Sequence, residues 1–184
     1  RRSVVRIVVL RSLPLALAFT AGAALALPPA PLHKSAIVPA APADVWAAWT
    51  TAEGIRTFLA PDGKVEAKAG GAYEIWFTPD AAPGARGCDG CTVISADPPK
   101  KLAFTWSYPP AIPELRDSGA KGRVTVELLP GSVGETTLVT LVHDGFPEGE
   151  AGEKGRAYFD KAWDTVLSRL RERFIRGPVD WSKK

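Results

Sequence analysis

The sequence predicts an α+β domain in which a curved antiparallel sheet closes over one long C-terminal helix. Three observations carry that expectation. Several segments between residues 72 and 143 alternate apolar and polar side chains, which marks strands with one buried face. The turns between them are short, which joins neighbouring strands antiparallel. After residue 155 the apolar period becomes helical, and a sheet with one apolar face needs a cover of that size.

The elements follow in chain order. Ser35 to Val38 reads as a short first strand, punctuated by Pro39 and Pro42. Pro42 suits the first turn of a helix, where its missing N–H costs nothing, and Ala43 to Trp49 supplies that helix. Thr50 and Glu53 have capping-box spacing and open a second short helix ending near Leu59. Pro61-Asp62-Gly63 reads as a turn. In the next strand Tyr73, Ile75 and Phe77 share a face; in another Leu102, Phe104 and Trp106 do; in a third Val124, Val126 and Leu128 lie opposite Thr125 and Glu127. Thr92 to Ala96 and Thr136 to His143 are two further strands. The last helix, from about Gly155 to Phe174, carries Phe159, Trp163, Val166, Leu170 and Phe174 at helical spacing against a charged face. Gly177-Pro178 stops it.

The start of the chain bears on compartment and charge. Arg1, Arg2, Arg6 and Arg11 precede an apolar run from Leu13 to Leu27 that contains Ala24-Leu25-Ala26. A positive head, a short apolar region and a small-residue cleavage site predict a secretory signal peptide over residues 1–26. An export destination in the periplasm or outside the cell follows, and any membrane attachment would run through the uncleaved leader. Residues 27–34 read as a tether, 35–176 as the domain, and 177–184 as a tail. The whole chain has 23 Lys and Arg against 20 Asp and Glu, a formal charge of +3. Removing the four arginines of the leader leaves 19 against 20, or −1. That balance excludes a charge-based case for nucleic-acid binding, which needs a basic patch on the folded domain.

A resemblance emerges from these segments together. It runs through Ala41-Pro42-Ala43-Asp44-Val45-Trp46 and Thr50-Thr51-Ala52-Glu53-Gly54-Ile55, then Gly70-Gly71-Ala72-Tyr73. It continues in Asp97 to Trp106 (DPPKKLAFTW), His143-Asp144-Gly145-Phe146 and Tyr158 to Trp163 (YFDKAW). The chain resembles the heat-shock ATPase-activator-like (AHSA-like) branch of the START and birch-allergen (SRPBCC) superfamily. The resemblance implies a helix-grip fold with an apolar cavity between sheet and long helix, in a superfamily whose members bind lipids, sterols or polyketides and sometimes catalyse their cyclisation or dehydration. The chaperone-activating role is not carried over, since an exported protein meets neither that cytosolic chaperone nor ATP, and a fold does not set a function.

Cys88 and Cys91 are the only cysteines. A redox C-x-x-C sits at a helix N-terminus, whereas Cys91 precedes the β-rich Thr92-Val93-Ile94-Ser95. A zinc site needs about four ligands, and the pairs here lack that spacing, so no metal is expected. Two readings stay open. A turn at Asp89-Gly90 would bring the cysteines within about 7 Å and allow a disulfide; the resemblance instead places the segment along a strand edge, with Gly90 as a bulge and two small side chains filling strand positions.

The expected pocket is aromatic. Phe159 and Trp163 of the long helix face Tyr73, Phe104 and Trp106 of the sheet across the expected cavity, and Trp46 and Phe58 join them in the candidate lining. Rings pack with gaps and bring polar tips, which suits an apolar cavity with a few polar groups. His143 joins the list if Val139 and Leu141 face inward. It is the candidate catalytic residue, as a general acid/base, or else a histidine satisfied by backbone or by Tyr158. No nucleophile triad, phosphate loop or dinucleotide fingerprint appears, and no cofactor is expected. Three functions remain: a carrier of an apolar small molecule or lipid, an enzyme acting on such a ligand through His143, or a protein-interaction module.

Overall fold

Five segments pair into one antiparallel sheet, in the spatial order β1 (Leu32–Val38), β7 (Thr137–Asp144), β6 (Lys121–Pro130), β5 (Lys101–Ser107) and β4 (Val93–Asp97). A hairpin of β2 (Asp62–Val65) and β3 (Tyr73–Trp76) joins its edge through isolated bridges between Ala72 and Thr92 and between Trp76 and Gly87. These positions come from a computed structural model that describes residues 27–183; the leader expected over residues 1–26 lies outside the described residues. Helices α1 (Pro42–Thr50) and α2 (Ala52–Arg56) follow β1, α3 (Pro113–Asp117) precedes β6, and α4 (Glu150–Arg176) closes the domain. This is the helix-grip α+β architecture, a curved sheet holding one long helix.

The register shows why β7 faces as it does. Thr137, Val139, Leu141 and His143 are buried, while Leu138, Thr140, Val142 and Asp144 are half-exposed. Across it, Val124 pairs with His143, Val126 with Leu141 and Leu128 with Val139, so both strands send the same face to the core.

The long helix begins at Glu150, five residues before the expected start. Glu150 and Glu153 stand at its N-terminal end and Arg173 and Arg176 at its C-terminal end, each sign suited to the helix dipole. Phe159, Trp163, Val166, Leu167 and Leu170 form its buried stripe.

Four local readings need correction. β1 begins at Leu32 rather than Ser35, because pairing with β7 continues as far as His143 and buries Leu32; residues 32–34 are therefore sheet rather than tether. Thr51, not Thr50, caps α2: its Oγ1 accepts from Gly54 N–H at 2.9 Å, while Thr50 donates back to the Trp46 carbonyl at 2.7 Å. Residues 62–65 are a strand rather than a turn, since Asp62 and Gly63 pair with Trp76 and Ile75. Phe77 leaves the buried face expected of it. β3 ends at Trp76, the chain turns outward, and the Phe77 ring is 43% exposed while Tyr73 and Ile75 stay buried.

Candidate functional site: a cleft under the long helix

Aromatic side chains from five segments run as one contact series through the domain. Trp49 meets Phe58 edge-on at 5.0 Å, Tyr73 stacks on Phe104 at 4.0 Å, Phe104 meets Trp106 at 5.7 Å, and Trp106 meets Trp163 at 5.2 Å. The inner end of this series is solid. Phe58, Tyr73 and Phe104 are fully buried and Trp46 is half-buried against the core. The Tyr73 hydroxyl donates to the Trp49 carbonyl at 3.0 Å, and burial raises its pKa well above the usual value.

The outer end opens. A cleft of about 360 Å³ lies between the middle of α4, the end of β5 and the loop after β3. Trp106, Phe159, Trp163, Val166 and Ala162 give it apolar walls, and Phe77 and Tyr158 also line it. Of the eight side chains expected to line a pocket, three do: Trp106, Phe159 and Trp163. Phe58, Tyr73, Phe104 and His143 lie elsewhere in the packed interior, and Trp46 is half-buried against it. Helical and strand periods predict which side chains point inward, but they do not tell which part of an interior is filled.

His143 is fully buried. Its Nδ1 accepts a hydrogen bond from the Trp163 indole Nε1–H at 3.0 Å, so the imidazole proton sits on Nε2, which has no hydrogen-bond partner among the described residues. Its ring packs against Phe146 and Phe159, each at 4.6 Å. Burial pushes its pKa down to about 3. The imidazole is therefore neutral at ordinary pH, and it is shut off from the cleft by Phe159 and Trp163.

The cysteines settle on one of their two readings. Cys88 and Cys91 form a disulfide, with Cα atoms 5.5 Å apart. A turn makes this possible: Cys91 N–H donates to the Cys88 carbonyl at 3.2 Å and Gly90 takes φ +65°, a value that glycine adopts without strain. The continuous-strand reading fails because the chain turns between its two bridges to the hairpin, at Gly87 and at Thr92, with Cys91 N–H bonded back to Cys88. Ser107 N–H donates to Cys88 Sγ at 3.2 Å, and Cys88 lines the cleft.

Polar side chains that sequence reasoning missed stand in the wall and just behind it. Arg116 of α3 donates to the carbonyls of Gly87 (2.7 Å), Tyr108 (3.1 Å) and Gly84 (2.8 Å), fastening the loop after β3 to the end of β5. Tyr108 donates to the Gly145 carbonyl at 3.1 Å, and burial lifts its pKa to about 12. Arg86 lies 4.0 Å over the Trp76 ring and pairs with Asp89 at 2.6 Å. Burial, and then the nearby Arg116 charge, hold the Lys121 ammonium below its usual pKa, against the opposing pull of Glu74 and Asp89. The one available signal for Arg116 was Pro113 opening a short helix. Among the described residues no three His, Cys, Asp or Glu side chains cluster as metal ligands.

Comparison with known proteins agrees with this fold. The family model described as Activator of Hsp90 ATPase homolog 1-like protein matches residues 39–174. No curated protein matches the chain. Among solved structures, protein MLL2253 from Mesorhizobium loti aligns at TM-score 0.63 and 20% identity, over 82% of this chain and 100% of that one. The Aha1 dimer from Colwellia psychrerythraea aligns at 0.60 and 19%, over 80% and 98%. DynU16, a protein in the dynemicin biosynthetic locus, aligns at 0.59 and 20%, over 82% and 49%. Likeness at these identities establishes the fold, and the fold is one consistent with small-molecule binding.

Proposed function

Since the chain belongs to the family of Activator of Hsp90 ATPase homolog 1-like proteins, we propose that it is an exported binding protein for an apolar small molecule or lipid. The cleft of about 360 Å³ walled by Trp106, Phe159 and Trp163 carries this reading. Its size falls toward the lower end of the roughly 300–1,000 Å³ common for ligand sites, and its walls are large rings with a few polar groups at the rim. The family match and the position of DynU16 in a biosynthetic locus add support for a small-molecule ligand. Export is supported by the leader pattern in residues 1–26 and by a disulfide, a bond that persists in oxidising compartments.

Binding is favoured over acid–base chemistry because His143, the candidate proton-transfer residue, stands behind Phe159 and Trp163 rather than in the cleft. Native mass spectrometry of the protein purified from its producing cell tests the carrier reading. A stoichiometric small-molecule adduct is expected, lost in a Phe159→Ala/Ala162→Trp variant that reshapes the cleft. A wild-type protein that carries no adduct and takes up no apolar probe would leave the interaction module in its place. N-terminal sequencing should begin near Leu27; soluble cytoplasmic protein that retains Arg1 would refute export.

A further inference from the structure

The cleft is apolar in its walls but strongly one-signed in its charges. Arg86, Arg116 and Arg169 all line it, and among the described residues no Asp or Glu does. Arg86 is matched: Asp89 lies at 2.6 Å and Glu74 at 3.8 Å. The other two are not. Among the described residues Arg116 contacts only backbone carbonyls, and Arg169 only the face of Trp181, at 5.3 Å. Both side chains are half-buried.

Carbonyl oxygens satisfy N–H donors but do not neutralise a charge. An unpaired guanidinium beside apolar walls, partly removed from water, is an unfavourable arrangement unless an anion joins it. Arginine is also the side chain whose planar fork best fits a carboxylate or another oxyanion. Three of the N–H donors of Arg116 are used by carbonyls, and the rest of its fork has no hydrogen-bond partner among the described residues. Arg169 makes no hydrogen bond to protein among the described residues. The two cations belong to different elements, α3 and α4, on a domain whose expected mature charge is close to zero. Their convergence on one cleft is local rather than a consequence of composition.

We infer that the cleft takes an amphiphilic anion, its apolar body against Trp106, Phe159 and Trp163 and its oxyanion head on Arg116 and Arg169. This deepens the proposed function and rests on it. A carboxylate and a phosphate monoester share the required chemistry, and the experiment separates them.

Two fluorescent probes with the same N-phenylnaphthylamine body provide the test: neutral N-phenyl-1-naphthylamine and 8-anilinonaphthalene-1-sulfonate, which adds one anionic group. The wild type should bind the sulfonate probe roughly tenfold or more tightly than the neutral one, as expected for charge-assisted hydrogen bonds, and the difference should shrink with salt. Arg169→Gln should remove most of that preference, weakening the sulfonate probe several-fold more than the neutral one. Arg116→Gln should do the same, but it also unfastens the loop at Gly84 and Gly87, so Arg169→Gln is the decisive variant. Displacement by 1-naphthoate, by 1-naphthyl phosphate and by neutral 1-naphthamide then ranks the head groups. Displacement led by naphthoate assigns a carboxylic acid and displacement led by naphthyl phosphate a phosphate monoester; either supports the inference. Equal affinity for both probes, unchanged in Arg169→Gln, would overturn the anion reading and leave a neutral-ligand carrier standing. Failure of both probes to bind would overturn the carrier reading itself.

Discussion

The Trp163 indole N–H donates to Nδ1 of His143 at 3.0 Å, linking α4 to β7 inside the core. The two residues are twenty positions apart, and each has one face in a different environment. Trp163 presents a ring to the cleft, while His143 presents Nε2 to the sheet.

The first prediction concerns pH. In the unfolded chain His143 titrates near the usual value of about 6.5, whereas burial in the fold pushes it down to about 3. Below about pH 6.5 the unfolded state therefore binds a proton that the folded state refuses. Stability falls as pH drops through the window from about 6.5 to about 3, by at most about 1.4 kcal/mol per unit, and this contribution is fully present above 6.5. Urea unfolding across that range checks it. The slope should be shallower in His143→Phe than in the wild type; identical slopes would mean that the imidazole is not held neutral.

Truncating the donor separates the hydrogen bond from the packing. Trp163→Phe keeps an aromatic wall but leaves Nδ1 of His143 without its partner, at an expected cost of about 1–3 kcal/mol. Leu170→Ala, at the aliphatic end of the same stripe, should cost about 2–5 kcal/mol and leave probe uptake intact. Denaturant unfolding paired with probe titration distinguishes them, and equal loss of probe binding in both variants would contradict the division of α4 into a cleft end and a core end.

Gly122 is constrained by its neighbour rather than by its own backbone. A Cβ placed there would lie 2.4 Å from Nε2 of His143, closer than any van der Waals contact. Gly122→Ala should force the ring to shift, break its bond to Trp163 and destabilise the fold by about 1–3 kcal/mol, as overpacking does. The indirect signature is a change in Trp fluorescence. A variant as stable as the wild type with unchanged fluorescence would show that the sheet yields easily at this point.

The disulfide closes only a four-residue ring, so its entropic contribution should be small, about 2 kcal/mol. Its position matters more. Cys88 is in the cleft wall next to Gly87, whose carbonyl Arg116 holds at 2.7 Å. Cys88→Ser/Cys91→Ser should lower stability modestly and weaken probe binding by loosening that wall. Hydrogen exchange over residues 84–91 is the measurement, and unchanged exchange there would show that the turn holds without the bond.

What the sequence by itself determined was everything that depends on local period and on chain order. The alternation that carries His143 inward together with Val139 and Leu141 was visible as a condition, and the helical stripe from Phe159 to Leu170 outright. Their succession sufficed for the helix-grip arrangement, since an apolar sheet face and an apolar helix stripe in one small domain have few other ways to be covered. The tertiary structure decided what period cannot express. It alone placed Phe104 in solid core and Trp106 at an opening, although both lie on one face of one strand. It brought Arg116, from a five-residue helix with almost no periodic signal, against the loop after β3. It also turned a strand-like C-x-x-C into a closed ring through one positive φ at Gly90. Inward direction follows from the geometry of a single element, but an open or filled interior, a convergence of charges and a closed turn depend on several elements at once, and those distances exist only after the chain has folded.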